Sequence, residues 1–424
     1  MEEIDEGPND IENPHDLMLE LGGFSLSPLW CIYRVPKRLR QGNDEEAYTP
    51  QVVSIGPLHH GKEHLNGMEY HKRRYLQGFL RRTKIKLEFY KNKVELQEVK
   101  LRSCYAEPIR CSSEEFLRII LVDAAFIIEF LLRYNNPKFR DEDDYIYNKP
   151  WMHIDVLADL RMLENQLPLF ILEDLFDPEK YFDYAYKPSI ISLSYAVFDT
   201  PFFWKGSKDD VLEGKRFCEV KHFVDLIRTA CLPPKLKTDV REVKSIRTPS
   251  ITELHRAGVK LKAGSTNNLF DIRFADGTLE IPGLEINDHT EVLIRNLIAF
   301  EQCHYKEKFV SDYVNLMDRF VNTPKDVELL VKYGIVENWL GENSEVSTLI
   351  NKLGKGVWIY DDDFYFATVA EDLNSHCGTH WNKWKANLRQ NYFNTPWTII
   401  SFVAAVFLLI LTFIQTVCSI ISIA

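Results

Sequence analysis

SSEEFLRIILVDAAFIIEFLLRY, residues 112–134, opens with a capping box, Ser112 at the N-cap and Glu115 three residues on. The remainder of the run is apolar on nearly every side, so it predicts a helix buried in a domain core rather than one lying on a surface. Asp123 and Glu129 interrupt it too early for a bilayer span. A buried carboxylate needs partners, so Arg, Lys or backbone N–H groups are expected beside both, and structural ion pairs outweigh a catalytic pair as the reading.

Toward the N-terminus, residues 1–28 form an acidic head, expected to be disordered or loosely docked. Cys31-Ile32-Tyr33-Arg34-Val35-Pro36 is apolar and β-prone, and Tyr48 to Pro57 is extended or turn-like because residues before proline avoid the α region. Met68 to Arg102 is helical in pattern and basic, with Tyr75, Leu76, Phe79 and Leu80 on its packing face. Its cations read either as a solvated face or as a surface for an anionic partner or for the acidic leaflet of a membrane.

Toward the C-terminus, residues 135–150 read as a loop and 154–176 as a helix broken at Pro168. Helices are expected at about 189–197 and 217–228, then a charged connector at 232–249 with proline at both ends, the place for an interlobe break. After a short helix at 250–257, Asp276-Gly277 between two alternating runs is a strong hairpin signal. Further helices are expected at 290–303, 309–320, 324–333, 344–353 and 364–388. The fold class is therefore mainly α with a small β-hairpin element: one large helical globular domain over 29–390, plus a C-terminal transmembrane helix over 396–421.

That last expectation rests on the stretch from Trp397, which carries no charge and at 1.5 Å per residue reaches about 40 Å. Before it, Trp381, Trp384, Leu388 and Tyr392 share one helical face, with Lys383, Lys385 and Arg389 on the others. Trp381, Lys383, Trp384, Lys385, Arg389 and Trp397 are thus candidate membrane-interface residues, or the same face packs on the domain's own core. The acidic N-terminus lacks the order of a secretory signal or transit peptide, and the Lys/Arg flank places the globular part in the cytosol, giving a tail-anchored, single-pass membrane protein with the bilayer as a partner. The eight cysteines include no C-x-x-C pair and read as free thiols of a reducing compartment.

The chain has 424 residues with 51 Lys+Arg against 62 Asp+Glu, and a net charge of −11 argues against a general nucleic-acid binder. No phosphate-cradling glycine loop, nucleophile elbow or H-E-x-x-H stretch is present, so no cofactor, metal or catalytic residue is assigned. Three clusters carry polar chemistry. His59 and His60, with His64 and His71 nearby, are imidazoles around a bent backbone, suited to turn hydrogen bonds or, less readily, to a metal. His376, Cys377 and His380 resemble half a zinc site. Glu164, Asn165 and Gln166, inside a leucine-rich segment, must be hydrogen-bonded if buried, and with Glu301 and Gln302 they form an internal network or a site, architecture being favoured.

Several ordered blocks resemble the plant family catalogued as domain of unknown function 247. They include Ile32 to Pro36, Tyr48 to Gly61, Met162-Leu163-Glu164-Asn165-Gln166-Leu167-Pro168, and Arg295 to Gln302. Ala124-Ala125 stands where that family usually has Gly-Cys. The resemblance implies no established biochemical activity, and some members are linked to self-incompatibility or flower sex determination. The favoured reading is a non-catalytic recognition or regulatory protein with an unknown protein partner. The alternative is a membrane-bound enzyme using buried carboxylates.

Overall fold

The structure, a computed structural model, describes residues 29–40, 44–182, 187–198, 217, 219–232, 247–266, 268–359, 363–378 and 396–423, with side chains in the last stretch from 400 to 416. The acidic head, most of the 232–249 connector, and Trp381, Lys383, Trp384, Lys385 and Arg389 lie outside the described residues, as does the side chain of Trp397.

The helices of the first part are α1 (Asn66–Thr83), α2 (Leu87–Glu95), α3 (Glu98–Arg102), α4 (Ser113–Asn135), α5 (Met152–Leu160), α6 (Leu169–Leu175), α7 (Ile190–Phe198) and α8 (Phe223–Cys231). The second part carries α9 (Ile251–Arg256), α10 (Thr290–His304), α11 (Phe309–Phe320), α12 (Pro324–Lys332), α13 (Asn343–Leu353) and α14 (Ala367–Gly378), with α15 (Pro396–Ile423) after them.

The apolar 112–134 run is α4, and it sits at the centre of the first part with α1, α2, α6 and α7 packed around it. Phe116, Ile120, Phe126, Ile128, Phe130 and Leu131 are fully buried, each worth roughly 1.5–3 kcal/mol of apolar transfer. Ser112 accepts the Glu115 amide at 3.2 Å, so the N-cap forms as the sequence predicts. The basic stretch from Met68 is not one helix but three, because Lys84 closes α1 in the left-handed conformation (φ 56°). The 154–176 run breaks earlier than Pro168: α5 ends at Leu160, and residues 161–168 cross the core without helical structure. The reason is long-range, since Asn165 and Gln166 spend their side chains on distant backbone, at residues 53, 55 and 223.

The expected hairpin is present as β2 (Arg273–Ala275) and β3 (Thr278–Ile281), with Asp276 (φ 50°) and Gly277 (φ 72°) in the positive-φ turn that its twist requires. Two further pairings lie beyond what the sequence pattern predicts. β1 (Lys260–Ala263) adds parallel to β3 with Leu261 opposite Leu279, and β4 (Leu284–Ile286) pairs parallel with β5 (Val336–Asn338) some fifty residues on. Parallel pairs need long crossovers, so no local signal marks them.

The transmembrane part of the expected fold class is corrected. Residues 396–423 are helical, but among the described residues no helix is long and apolar enough to cross a membrane. The described residues therefore do not support the terms transmembrane, single-pass and tail-anchored.

Candidate functional site

Backbone outside helices and sheets has N–H and C=O groups with no ladder to satisfy them. Residues 51–56 are such a segment, and side chains from α4, α5 and the 161–168 crossing take the place of a neighbouring strand. The Asp159 carboxylate accepts three successive amides, Gln51 at 2.8 Å, Val52 at 2.7 Å and Val53 at 2.8 Å. Asn165 accepts Ile55 N–H at 2.7 Å and donates to the Val53 carbonyl at 3.0 Å. Asp123 accepts Gly56 N–H at 2.8 Å through Oδ2 and the Lys72 ammonium at 2.6 Å through Oδ1. Lys72, fully buried, also donates to the Ser54 carbonyl at 2.8 Å and pairs with Glu69.

Burial pushes Asp123 up to about 6, against the pull of Lys72, and pushes Asp159 up to about 6, against its three amide donors. Gly56, at φ 70°, is required where the segment leaves α4: a Cβ there would lie 2.8 Å from the Gln166 carbonyl oxygen and 2.9 Å from the Tyr105 hydroxyl.

Gln166 donates to the Leu160 and Met162 carbonyls at 2.7 and 2.8 Å and accepts the Phe223 amide at 3.0 Å, tying the crossing to α8. Glu164 points the other way. Its Oε1 accepts Val35 N–H at 2.6 Å and pairs with Arg40, while Oε2 meets His59 Nε2 at 3.1 Å and Arg34 Nη1 at 3.5 Å. Burial alone would raise Glu164, but the contacts from His59 and Val35 and the charge of Arg40 hold it below the ordinary carboxylate value. The same burial lowers His59.

The other sequence candidates lie elsewhere. Glu129 is held on α4 by Arg82 at 3.1 Å and Arg133 at 3.2 Å, with burial raising its carboxyl against both cations. Glu301, on α10, takes Arg228 at 2.9 Å and the amides of Val310 and Ser311 at 3.1 and 2.9 Å. Gln302 accepts Arg38 at 3.1 Å and donates to the Trp358 carbonyl at 2.9 Å. No hydrogen bond or ion pair joins Glu301 to Glu164 among the described residues. The structure thus brings Glu164 together with His59, and Asn165 with the segment Asp123 supports, but not these with Glu129 or Glu301.

The imidazoles also separate. His60 lies 3.9 Å from Glu69, His64 faces the Pro50 carbonyl at 3.1 Å, and His71 stacks on Tyr145 at 4.2 Å. His376 packs on Phe274, and His380 lies outside the described residues. Among the described residues no group of three or more His, Cys, Asp or Glu is placed to hold a metal ion.

Sequence alone does not single out several residues that organise this network: Asp159, Lys72, Arg133, Arg228 and Asn296, the last accepting Leu163 N–H at 2.9 Å. Lone polar or charged residues inside apolar helices are the available signal, as they are for Asp123.

Above the Glu164 cluster lies an open cleft of about 560 Å³, lined by Arg34, Leu58, His60, Ile109, Arg110 and Glu115 among others. Arg34 spans the two, reaching in toward Glu164 and out to Glu107 at 2.7 Å. The cleft offers guanidinium, imidazole and carboxylate groups beside apolar surface, a mixture suited to binding a polar chain segment.

A helical domain knitted by side-chain-to-backbone bonds across the blocks Tyr48 to Gly61 and Met162 to Pro168 gives those family-like blocks a common structural purpose. The chain belongs to the plant family DUF247, described as a plant protein of unknown function, whose model matches residues 32–411. It is similar to UPF0481 protein At3g47200 of Arabidopsis thaliana, 30% identical over 421 residues, covering 92% of this chain and 86% of that one. It is also similar to the putative UPF0481 protein At3g02645 of the same plant, 24% identical, covering 91% and 89%. No solved structure matches it.

Proposed function

We propose that this chain is a non-catalytic recognition or regulatory protein that engages a protein partner at the cleft beside Arg34, in roles of the kind the family resemblance links to reproductive recognition. The observation that carries this reading is the contrast between interior and cleft. Asp123, Glu129, Glu164 and Glu301 are fully buried, and cations or backbone amides occupy each one. A general acid or nucleophile needs an atom that substrate can reach, and all four carboxylates are enclosed, including Oε2 of Glu164, which lies beside His59 and Arg34 without a hydrogen bond. At the cleft, by contrast, Glu107 and Arg110 are exposed and Glu115 is half-buried, so a partner can reach them.

The test is proximity labelling from the full chain in plant tissue, comparing the wild type with Arg110→Glu in the cleft and Lys325→Glu on α12, which is exposed and distant in sequence. Loss of a defined set of labelled proteins in Arg110→Glu alone is the expected outcome. Identical sets for all three proteins would remove the cleft from the proposal.

A further inference from the structure

The α2–α3 surface departs from the rest of the molecule. Leu96 is 87% exposed and Val99 84%, values unusual for aliphatic side chains, and Leu87 and Phe89 are about half exposed. Leu87 and Phe89 lie on α2, Leu96 caps its C-terminus and Val99 lies on α3, so the exposed apolar side chains sit on both sides of the α2–α3 junction.

Beside them stand Lys84, Lys86 and Lys91, all exposed and without an ion pair among the described residues. Neighbouring cations behave differently: Arg74, Arg81, Arg82 and Lys93 are committed to Asp143, Asp141, Glu129 and Asp174. Glu88 and Glu95 are also exposed on the surface and offset part of the lysine charge.

The chain itself carries a complement. Residues 1–28 contain Glu2, Glu3, Asp5, Glu6, Asp10, Glu12, Asp16 and Glu20 and no Lys or Arg, with an apolar cluster at Leu17-Met18-Leu19 and Leu21. This segment joins the domain beside the same surface. Cys31 and Ile32 both donate to the Cys104 carbonyl, at 2.9 and 3.0 Å, and Ala106 donates back to Ile32 at 2.9 Å, which fixes the chain two residues past the end of α3. The sequence order matches the order on the surface. The apolar cluster lies nearer the attachment point, as Leu96 and Val99 do, and the acids at 2–12 lie farther along, as Lys84 to Lys91 do. Twelve residues back from Leu29 span roughly 18 Å even if helical, enough to pass α3 and reach α2.

We infer that residues 1–28 dock on the α2–α3 face of their own chain, the Leu17–Leu21 cluster covering Leu96 and Val99 and the preceding carboxylates pairing with Lys84, Lys86 and Lys91. Such a contact is weakened by salt, because its ionic part is exposed.

The test is zero-length carbodiimide cross-linking of the dilute full-length protein, prepared as an equal mixture of ¹⁵N-labelled and unlabelled chains. Expected are cross-links from Lys84, Lys86 or Lys91 to acids within residues 2–20, all within chains of one isotope. Mixed-isotope cross-links would assign the face to a second copy and overturn the inference, and absence of links to the head would overturn it as well. A second measurement replaces the eight acids by their amides and tracks hydrogen exchange. Exchange over residues 87–99 is expected to speed up by roughly fivefold to tenfold. Unchanged exchange would sink the inference irrespective of the cross-links.

Discussion

Val53 and Asp159 lie 106 residues apart in the chain, and the Asp159 carboxylate accepts the Val53 amide at 2.8 Å. With Gln51 and Val52 on the same carboxylate, one side chain does for this segment what a neighbouring strand does in a sheet. An asparagine has one acceptor oxygen, and its NH₂ would face amide donors. Asp159→Asn is therefore expected to lose about 1–3 kcal/mol of stability by urea unfolding. Asp143→Asn, which removes an exposed pair with Arg74, is expected to leave the urea midpoint nearly unchanged. Equal losses for the two would contradict the role given to Asp159.

Helices with one long apolar face or an apolar circumference are legible in the sequence, and α4, α10 and α11 fall within a residue or two of their expected limits. The hairpin is legible because Asp276-Gly277 is a local turn signal. The hidden features depend on partners far away in the chain. β1 and β4 are short and find parallel partners beyond a connection, and the break after Leu160 comes from bonds that Asn165 and Gln166 make to residues 53, 55 and 223. The polar trio itself can be picked out, since three adjacent polar groups in a leucine-rich run must be satisfied, but which backbone satisfies them cannot. The apolar length of the C-terminal run suggests a span that the described residues do not provide.

Gly56 sets how closely the 51–56 segment approaches the crossing. Its φ of 70° and the 2.8 Å from a built Cβ to the Gln166 carbonyl leave no room for a side chain, and the obstacle is backbone that cannot swing aside. Gly56→Ala is expected to destabilise the protein by at least about 2 kcal/mol, whereas Gly61→Ala has a similar φ of 81° but open space around it. The Gly61 variant should therefore lose only the conformational part, about 1 kcal/mol. Thermal midpoints of the two variants make the comparison, and a larger drop for Gly61→Ala would show that contact at Gly56 is not the controlling factor.

Two groups give stability opposite pH slopes. Burial lowers His222 to about 4; it accepts the Asp225 amide at Nδ1 and faces the Cys31 carbonyl through Nε2 at 2.8 Å, an arrangement of neutral imidazole. Below pH 6.5 the unfolded chain binds the proton more readily, so this contribution is complete above 6.5 and is lost as pH falls toward 4. Asp312 is the reverse: burial raises it to about 7 despite the Tyr365 amide at 2.9 Å, so its ionisation destabilises the fold progressively from about pH 4 to 7. Asp312→Asn keeps an acceptor for Tyr365 without the charge. The stability difference, variant minus wild type, is expected to grow as pH rises through that window and to level off above it. A difference independent of pH would mean that Asp312 does not titrate between 4 and 7.

Arg133 distinguishes a buried ion pair from a surface one within a single helix neighbourhood. Its guanidinium, 2% exposed, bonds Glu129 at 3.2 Å and Asp144 at 2.5 Å and lies over the Tyr75 ring at 4.1 Å. Tyr75 donates to the same Asp144 at 2.9 Å, and a Cβ at Gly78 would sit 2.9 Å from Arg133, so α1 is fitted against this one side chain. Removing the cation leaves Asp144 with neutral donors only and Glu129 with Arg82 alone. Breaking a buried pair by deleting one partner typically costs about 3–5 kcal/mol, because the remaining charge has neither water nor counter-ion. Arg133→Met is expected to fall in that range by chemical denaturation, or to yield protein that unfolds near room temperature. Arg81→Met, which removes an exposed pair with Asp141, should change stability by about 0–1 kcal/mol. The double variant Arg133→Met, Asp144→Asn removes the stranded charge as well and leaves the Arg82–Glu129 pair in place, and it should recover part of the loss. If it is no more stable than Arg133→Met alone, the loss comes from the packing of the arginine on Tyr75 rather than from charges left without partners.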